Sequence, residues 1–239
     1  MNKPYVICHM LQSIDGKISG HFFDQPATIE LAKIYKKMSE TFQADAILYG
    51  SITLKEIYTS HVQINLNQYQ NQNISKTEDY IVNDSHKKWM IAMDPQGTLN
   101  WDLNVLKEER LKDKNIIEVV CENVSSSYLA HLQTMGISYI FGGKDYIDLK
   151  QVLAKLKHQF NIQKIVLQGG GIVNESFLMN DLIDEISLII SPVVDGNSQV
   201  PTAFESNHLF HSLIQPHTFT ISKVKVLSHS GLWIDYIKN

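Results

Sequence analysis

Seven short apolar runs rich in Val, Ile and Tyr recur along the chain with helical patterns between several of them, and this alternation restricts the fold more than any other feature. The runs are YVICHML (5–11), AILYG (46–50), KWMIAM (88–93), IIEVVC (116–121), SYIFGG (138–143), KIVLQG (164–169) and EISLIIS (185–191). Each has the length and β-branched content of a strand. Helical spacing runs through 27–42, 125–136 and 148–160; in the last, Leu149, Val152, Leu153, Leu156 and Phe160 share one stripe and Asp148 is placed to cap the N-terminus. Strand, helix, strand in repetition predicts a largely parallel sheet with helices on both faces. The C-terminal TFTISKVKVLSHSGLWIDYI is different, because two alternating runs flank SHSG, the pattern of an antiparallel hairpin. The expected class is therefore α/β, with a mostly parallel central sheet and an antiparallel C-terminal hairpin. The chain has 239 residues, 44% of them hydrophobic, enough to bury the core of one domain spanning 1–239. The Asn- and Gln-rich stretch 63–80 is read as an insertion loop over a site.

A net charge of −4 with scattered basic residues leaves no footprint for nucleic acid or an anionic membrane, so the expected partners are small molecules or a second copy of the chain. Cys8 and Cys121, the only two cysteines, fall in strands, which argues against a disulfide framework and suits a reducing cytoplasm. No run is long enough to span a bilayer, and the N-terminus lacks a signal-peptide pattern. The expected location is cytoplasmic.

Three consecutive glycines, Gly169, Gly170 and Gly171, lie between the strand KIVLQ and the short helix predicted from IVNESFLMNDL. Glycine clustered at a strand end implies a close approach to the backbone. A helix N-terminus beyond the carboxyl end of a parallel strand suits a phosphate. Asn174, however, occupies the place of the third glycine in G-x-G-x-x-G, so anion binding and a tight strand-to-helix turn both remain open. Two more strands end in small or hydroxylic residues, Ser13 to Lys17 and Gly50 to Thr53, the pieces of a nucleotide cleft. His208 and His211 stand three apart without a ligand set around them, and Ser13 and Asp15 lack a G-x-S-x-G elbow, so neither a metal nor a serine nucleophile is expected.

SIDGKISG (13–20), DAILYGSIT (45–53) and IVLQGGGIVNESFLMNDLIDEISLIISPVVDG (165–196) resemble, in order and spacing, the reductase domain of riboflavin-biosynthesis proteins, the RibD C-terminal family, which has the dihydrofolate reductase fold. No zinc deaminase signature accompanies them, so the chain is similar to the reductase half alone. The resemblance implies an NADPH-dependent reductase of a pyrimidine-like substrate, similar to 5-amino-6-(5-phosphoribosylamino)uracil reductase, acting as a homodimer. It implies cofactor contacts at Leu11, Gly50, Thr53, Asp94, Pro95, Gly169, Gly170, Gly171, Ile172 and Val173. By loop position, Lys144 is the candidate for the 2′-phosphate of NADPH. Substrate contacts are expected at Ser13, Lys17 and Gln168, and Asp15 is the candidate catalytic residue. The alternatives are a same-fold reductase of an unrelated carbonyl, imine or pterin compound, and a nucleotide-binding module without catalysis. The homodimer is also expected from the C-terminal hairpin, with Trp233 and Tyr236 as anchors.

The chain departs from the family at the substrate. Gln168 stands where the family has Glu, and the phosphate-binding arginines are replaced by Thr41 and Ile64; the single arginine is Arg110. Lys17 or Lys55 could act as point charges but lack the bidentate fork. Poor turnover of a phosphorylated substrate relative to a dephosphorylated one is expected.

Overall fold

A computed structural model of the chain describes residues 2–82, 88–206 and 216–239. The elements in chain order are β1 (Tyr5–Gln12), α1 (Pro26–Thr41), β2 (Ala46–Gly50), the single turn α2 (Ser51–Leu54), β3 (Lys88–Met93), the single turn α3 (Leu103–Leu106), β4 (Lys114–Cys121), α4 (Ser126–Thr134), β5 (Ser138–Gly143), α5 (Leu149–Phe160), β6 (Lys164–Leu167), α6 (Gly171–Met179), β7 (Glu185–Ile190), β8 (Phe219–Val226) and β9 (Leu232–Lys238). The strands belong to two compact units. One is inserted in the sequence, 45–163 with the first four residues; the other is formed by the flanking stretches 5–44 and 164–239.

In the inserted unit four parallel strands lie in the order β5-β4-β3-β2. Met90 and Ala92 of β3 pack with Ile116 and Val120 of β4 against Tyr128, Leu129 and Leu132 of α4 and the fully buried Trp101. The alternate residues serve the other face, where Trp89 meets Phe160 of α5 edge-on at 5.1 Å. Asp148 caps α5 as expected, accepting the Lys150 and Gln151 amides. The 63–80 segment corrects the expectation of a loop over a site. Tyr69 is buried against α4, with its ring 5.7 Å from that of His131. Tyr80 exchanges two backbone hydrogen bonds of 2.9 Å with Tyr139 of β5. Asp79 accepts the Phe141 amide and Lys155 Nζ, both at 2.9 Å. The segment thus closes the outer edge of β5, which would otherwise offer unpaired backbone groups for association.

In the flanking unit the order is β6-β1-β7-β9-β8, with β6, β1 and β7 parallel and β7, β9 and β8 antiparallel. α1 covers one face: Leu31 packs with Leu11 and Ile189, and Tyr35 stacks on the buried His9 at 4.3 Å. On the other face the glycine turn before α6 approaches Met10. Expected and observed strands differ by a residue or two at their ends, β6 stopping at Leu167 because the glycines turn the chain away. The hairpin is present, its turn a 3₁₀ segment, Ser228–Ser230, with His229 and Ser230 at φ 57°. On the row of Leu232, Ile234 and Tyr236, the neighbouring strand carries Val226, Val224 and Ile221, exposed by 76%, 55% and 54%. Trp233 faces away from that row, with Nε1 donating to Ser187 Oγ (2.9 Å) and Asp235 Oδ1 (2.6 Å) and Lys223 Nζ over its ring, so its pairing with Tyr236 as an anchor is corrected. His208 and His211 lie outside the described residues.

Candidate functional site

In the flanking unit, β6 ends opposite Cys8 while β1 continues to Gln12, so the last residues of β1 run on beside the glycine turn. Gly169 and Gly170 take φ values of 51° and 29°, a region that favours glycine, and Gly171 opens the nine-residue α6 without a side-chain cap. The first N–H groups of a helix have no intrahelical acceptor, and the helix end carries partial positive charge. The turn fits a phosphate, and Ile172 is exposed and Val173 half-buried on its first helical turn.

The chain itself accounts for one of the three glycines. A Cβ on Gly171 would lie 2.5 Å from the Thr202 carbonyl oxygen and 2.6 Å from Glu205 Cγ. Glu205 N donates to Gly171 O at 3.1 Å, and Glu205 Oε1 accepts from Thr202 N and Oγ1 at 2.5 and 2.8 Å. Asn174, fully buried, donates from Nδ2 to Ala203 O at 2.7 Å while its Oδ1 has no protein partner. A Cβ on Gly169 would lie 3.5 Å from that amide, which occupies the room a third fingerprint glycine would leave open. Gln168 is buried beneath the turn and donates to Ser39 Oγ of α1 at 3.2 Å.

The turn after β1 is tied to the same segment. Asp15 accepts from Ser13 Oγ (2.6 Å), Asp195 N (3.0 Å) and Gly196 N (2.9 Å). The Ser13 hydroxyl first, then the two amides, hold its carboxyl down at about 2. Lys17 bridges to Thr202 and donates from Nζ to Val200 O at 2.9 Å. Ser13, Asp15, Lys17 and the glycines are thus joined through residues 193–205, of which 193–196 close the family-like block without an expected role and 197–205 carry no motif. A second Asp-Gly dipeptide, Asp195-Gly196, was the available signal; Glu205 had none. Leu11 turns its side chain into the core under α1 and keeps only its backbone at the strand end.

In the inserted unit the parallel strands bring their carboxyl ends to one edge. Gly50 ends β2 opposite Met93 and is the N-cap of α2, which carries Thr53. Asp94 follows β3, 1% exposed, its carboxylate accepting Thr98 N (2.5 Å), Thr98 Oγ1 (2.9 Å) and Leu99 N (2.9 Å). Pro95 O accepts Cys121 N from the end of β4. Lys144 is exposed on the loop after β5. Arg110 is exposed before β4, Thr41 Oγ1 is bonded to Met38 O, and Ile64 packs on the core with Trp101. Among the described residues no three His, Cys, Asp or Glu gather as a metal site, and no helix is long and apolar enough to cross a membrane.

Parallel strands, an antiparallel C-terminal hairpin and a left-handed glycine turn before a helix define the α/β class with the dihydrofolate reductase-like fold. The RibD C-terminal domain model matches residues 4–227, and the chain belongs to that family of riboflavin-biosynthesis reductases. A relative from Aquifex aeolicus, named 2,5-diamino-6-ribosylamino-4(3H)-pyrimidinone 5′-phosphate reductase, is 26% identical over 84% of this chain and 83% of its own. Among solved structures, a pyrimidine reductase-like protein from Corynebacterium diphtheriae is 18% identical with a TM-score of 0.66, covering 100% of this chain and 93% of that one. Acinetobacter baumannii RibD is 17% identical with a TM-score of 0.63; all of this chain aligns, but it spans only 59% of the longer protein.

Proposed function

We propose that this protein reduces a ribosylaminopyrimidine with NADPH, as 5-amino-6-(5-phosphoribosylamino)uracil reductase does, and that residues 1–239 act as one reductase domain. The observation that carries the reading is the glycine turn opening α6 beside the part of β1 that runs on past the end of β6, within a chain whose family match runs almost end to end. The bound nicotinamide supplies the hydride. In the flanking unit, the Gly169, Gly170 and Gly171 backbone with Ile172 and Val173 would receive the pyrophosphate, and the Leu11 backbone the nicotinamide end. In the inserted unit, Gly50, Thr53 and the Asp94-Pro95 loop are further cofactor candidates, with Lys144 the candidate for the 2′-phosphate. Ser13, Lys17 and Gln168 are the substrate candidates. Asp15 stays ionised far below neutral pH and already accepts three hydrogen bonds, so in this reading it fixes the turn that presents the substrate residues instead of carrying a proton. The buried thiols Cys8 and Cys121 and the small-molecule chemistry suit a cytoplasmic enzyme.

Loss of NADPH absorbance on adding the phosphorylated ribosylaminopyrimidine tests the assignment. Turnover is expected, and none with either the phosphorylated or the dephosphorylated compound would overturn it. With Thr41 and Ile64 engaged elsewhere and Lys17 tied to Val200, the phosphate gains little, so the dephosphorylated compound should be used at least as well. Preference for the phosphorylated one by about tenfold or more, the worth of one charge-assisted contact, would show a phosphate site that these residues do not make. The exposed apolar row Ile221, Val224 and Val226 supports a homodimer through β8 and β9. Sedimentation should give twice 27.3 kDa, and a monomer at micromolar concentration would contradict it.

A further inference from the structure

Behind the Asp94 loop lies a second carboxyl group, Glu118 of β4, fully buried. It touches Trp101 Nε1 at 2.8 Å through Oε2 and the Tyr128 hydroxyl at 2.5 Å through Oε1, and Asp94 is near enough to raise its carboxyl. The Tyr128 hydroxyl also lies 2.9 Å from Leu99 O. That hydroxyl has one hydrogen, and a carbonyl oxygen can only accept. If Tyr128 donates to Leu99 O, its oxygen is left to accept, and the proton must come from Glu118. Asp94, already an acceptor for the Thr98 and Leu99 amides, opposes a second negative charge beside it. Two buried carboxyl groups in contact cannot both be ionised without a large desolvation and repulsion cost.

We infer that Glu118 is a positioning residue for cofactor binding: its carboxyl proton goes to Tyr128, whose hydroxyl in turn holds Leu99 O, and the neutral group spares Asp94 a second buried charge, so that Glu118 sets the conformation of residues 94–99 from within. The inference rests on the reading that this loop meets the cofactor. Burial and Asp94 are the two largest influences raising the Glu118 carboxyl, with the Tyr128 and Trp101 contacts opposing them. The other polar groups on this side are Tyr139 of β5, the register partner of Glu118, and His131 of α4, whose Nε2 donates to Trp101 O at 2.7 Å. His131 is itself lowered by burial and so is neutral at physiological pH. When Glu118 loses its proton as pH rises, Tyr128 turns its hydrogen from Leu99 O to the new carboxylate, Glu118 repels Asp94 and the loop is released.

The test compares NADPH affinity, by fluorescence titration as pH is raised across the range in which the protein stays folded, in wild type and Glu118→Gln. Glutamine keeps a donor for Tyr128 and an acceptor for Trp101, and it cannot ionise. Wild-type Kd should rise about tenfold or more with increasing pH, the scale of one unsatisfied buried group, while Glu118→Gln stays flat and kcat at saturating NADPH is unchanged. A role confined to stability would not produce this split. Superimposable profiles in the two proteins would overturn the inference. No NADPH binding by wild type at any pH would overturn the cofactor reading and, with it, this one. The Trp101 indole N–H resonance of ¹⁵N-tryptophan-labelled wild type gives an answer even if the variant does not fold. A single step with the midpoint of the Kd change is expected as pH rises, and a flat trace refutes the proton on Glu118.

Discussion

Gly171→Ala isolates the protein's own need for glycine from that of any ligand. Gly171 has a helical backbone, so alanine adds no conformational strain there and, in an open site, would be neutral or mildly stabilising by helix propensity. The site is not open. The new Cβ would stand 2.5 Å from the Thr202 carbonyl and 2.6 and 3.0 Å from Glu205 Cγ and Cβ, where ordinary contacts begin near 3.4 Å. The Glu205 stem can swing, but Thr202 O is backbone, held by the Lys17 bridge, and Glu205 N is bonded to Gly171 O. Relief requires residues 202–205 to move outward, an overpacking change that costs about 1–3 kcal/mol. Urea unfolding should show that loss as a lower midpoint at unchanged slope. Gly171→Ala in a Glu205→Ala background should lose less, because part of the clash is gone. A Gly171→Ala protein as stable as wild type would refute the reasoning and leave the glycine to a ligand alone.

Gly170 differs, because its φ of 29° strains any side chain. Gly170→Ala and Gly170→Asp should both lose stability by about 1–3 kcal/mol, while the aspartate alone abolishes NADPH binding; equal affinity in the two would show that no anion sits there. His9 is neutral and buried, with burial lowering its pKa to about 4. The unfolded state then takes up its proton first, so this contribution to stability is complete above pH 6.5 and is lost as pH falls through the window toward 4. The loss should total roughly 3 kcal/mol and be absent in His9→Gln, as followed by urea midpoints against pH; parallel wild-type and variant curves would contradict it. Asp79→Ala leaves the Phe141 amide without its acceptor and Lys155 with only Phe141 O, and should cost about 1–3 kcal/mol with increased self-association, measured by thermal unfolding and light scattering. An unchanged melting temperature would show that the 63–80 segment is not an anchor.

Strands were legible where apolar runs met clear breakers, as at Ala46–Gly50 and Lys88–Met93, whose ends coincide with those read from the sequence. The hairpin and the Asp148 cap were legible for the same local reason. The anchoring of 63–80 was not, because Tyr69, Asp79 and Tyr80 find their partners about 60 residues downstream, and a polar composition hides three fixed side chains. At the site, the glycine turn could be read, but Glu205 against Gly171 is a long-range contact with no periodic signature. Asp15 illustrates the limit of residue type: a carboxylate beside a serine suggests acid–base chemistry, and only the Asp195 and Gly196 amides show that it is held as an anion.

The distribution of the two units along the chain has a consequence for synthesis on the ribosome. β1 emerges first, yet Tyr5 pairs with Lys164 and Ile7 with Glu185, so its sheet partners are made last. At about 5–20 residues per second, roughly ten to thirty seconds separate them. During that interval the apolar strand Tyr5–Gln12 has no ladder of its own, whereas β2, β3, β4 and β5 find one another within 45–163 and can pair in that order as they are made. The nascent protein therefore carries a sticky unpaired strand beside a four-strand ladder already formed, and chaperone dependence should concentrate on that strand, ending when residues 164–190 leave the exit tunnel.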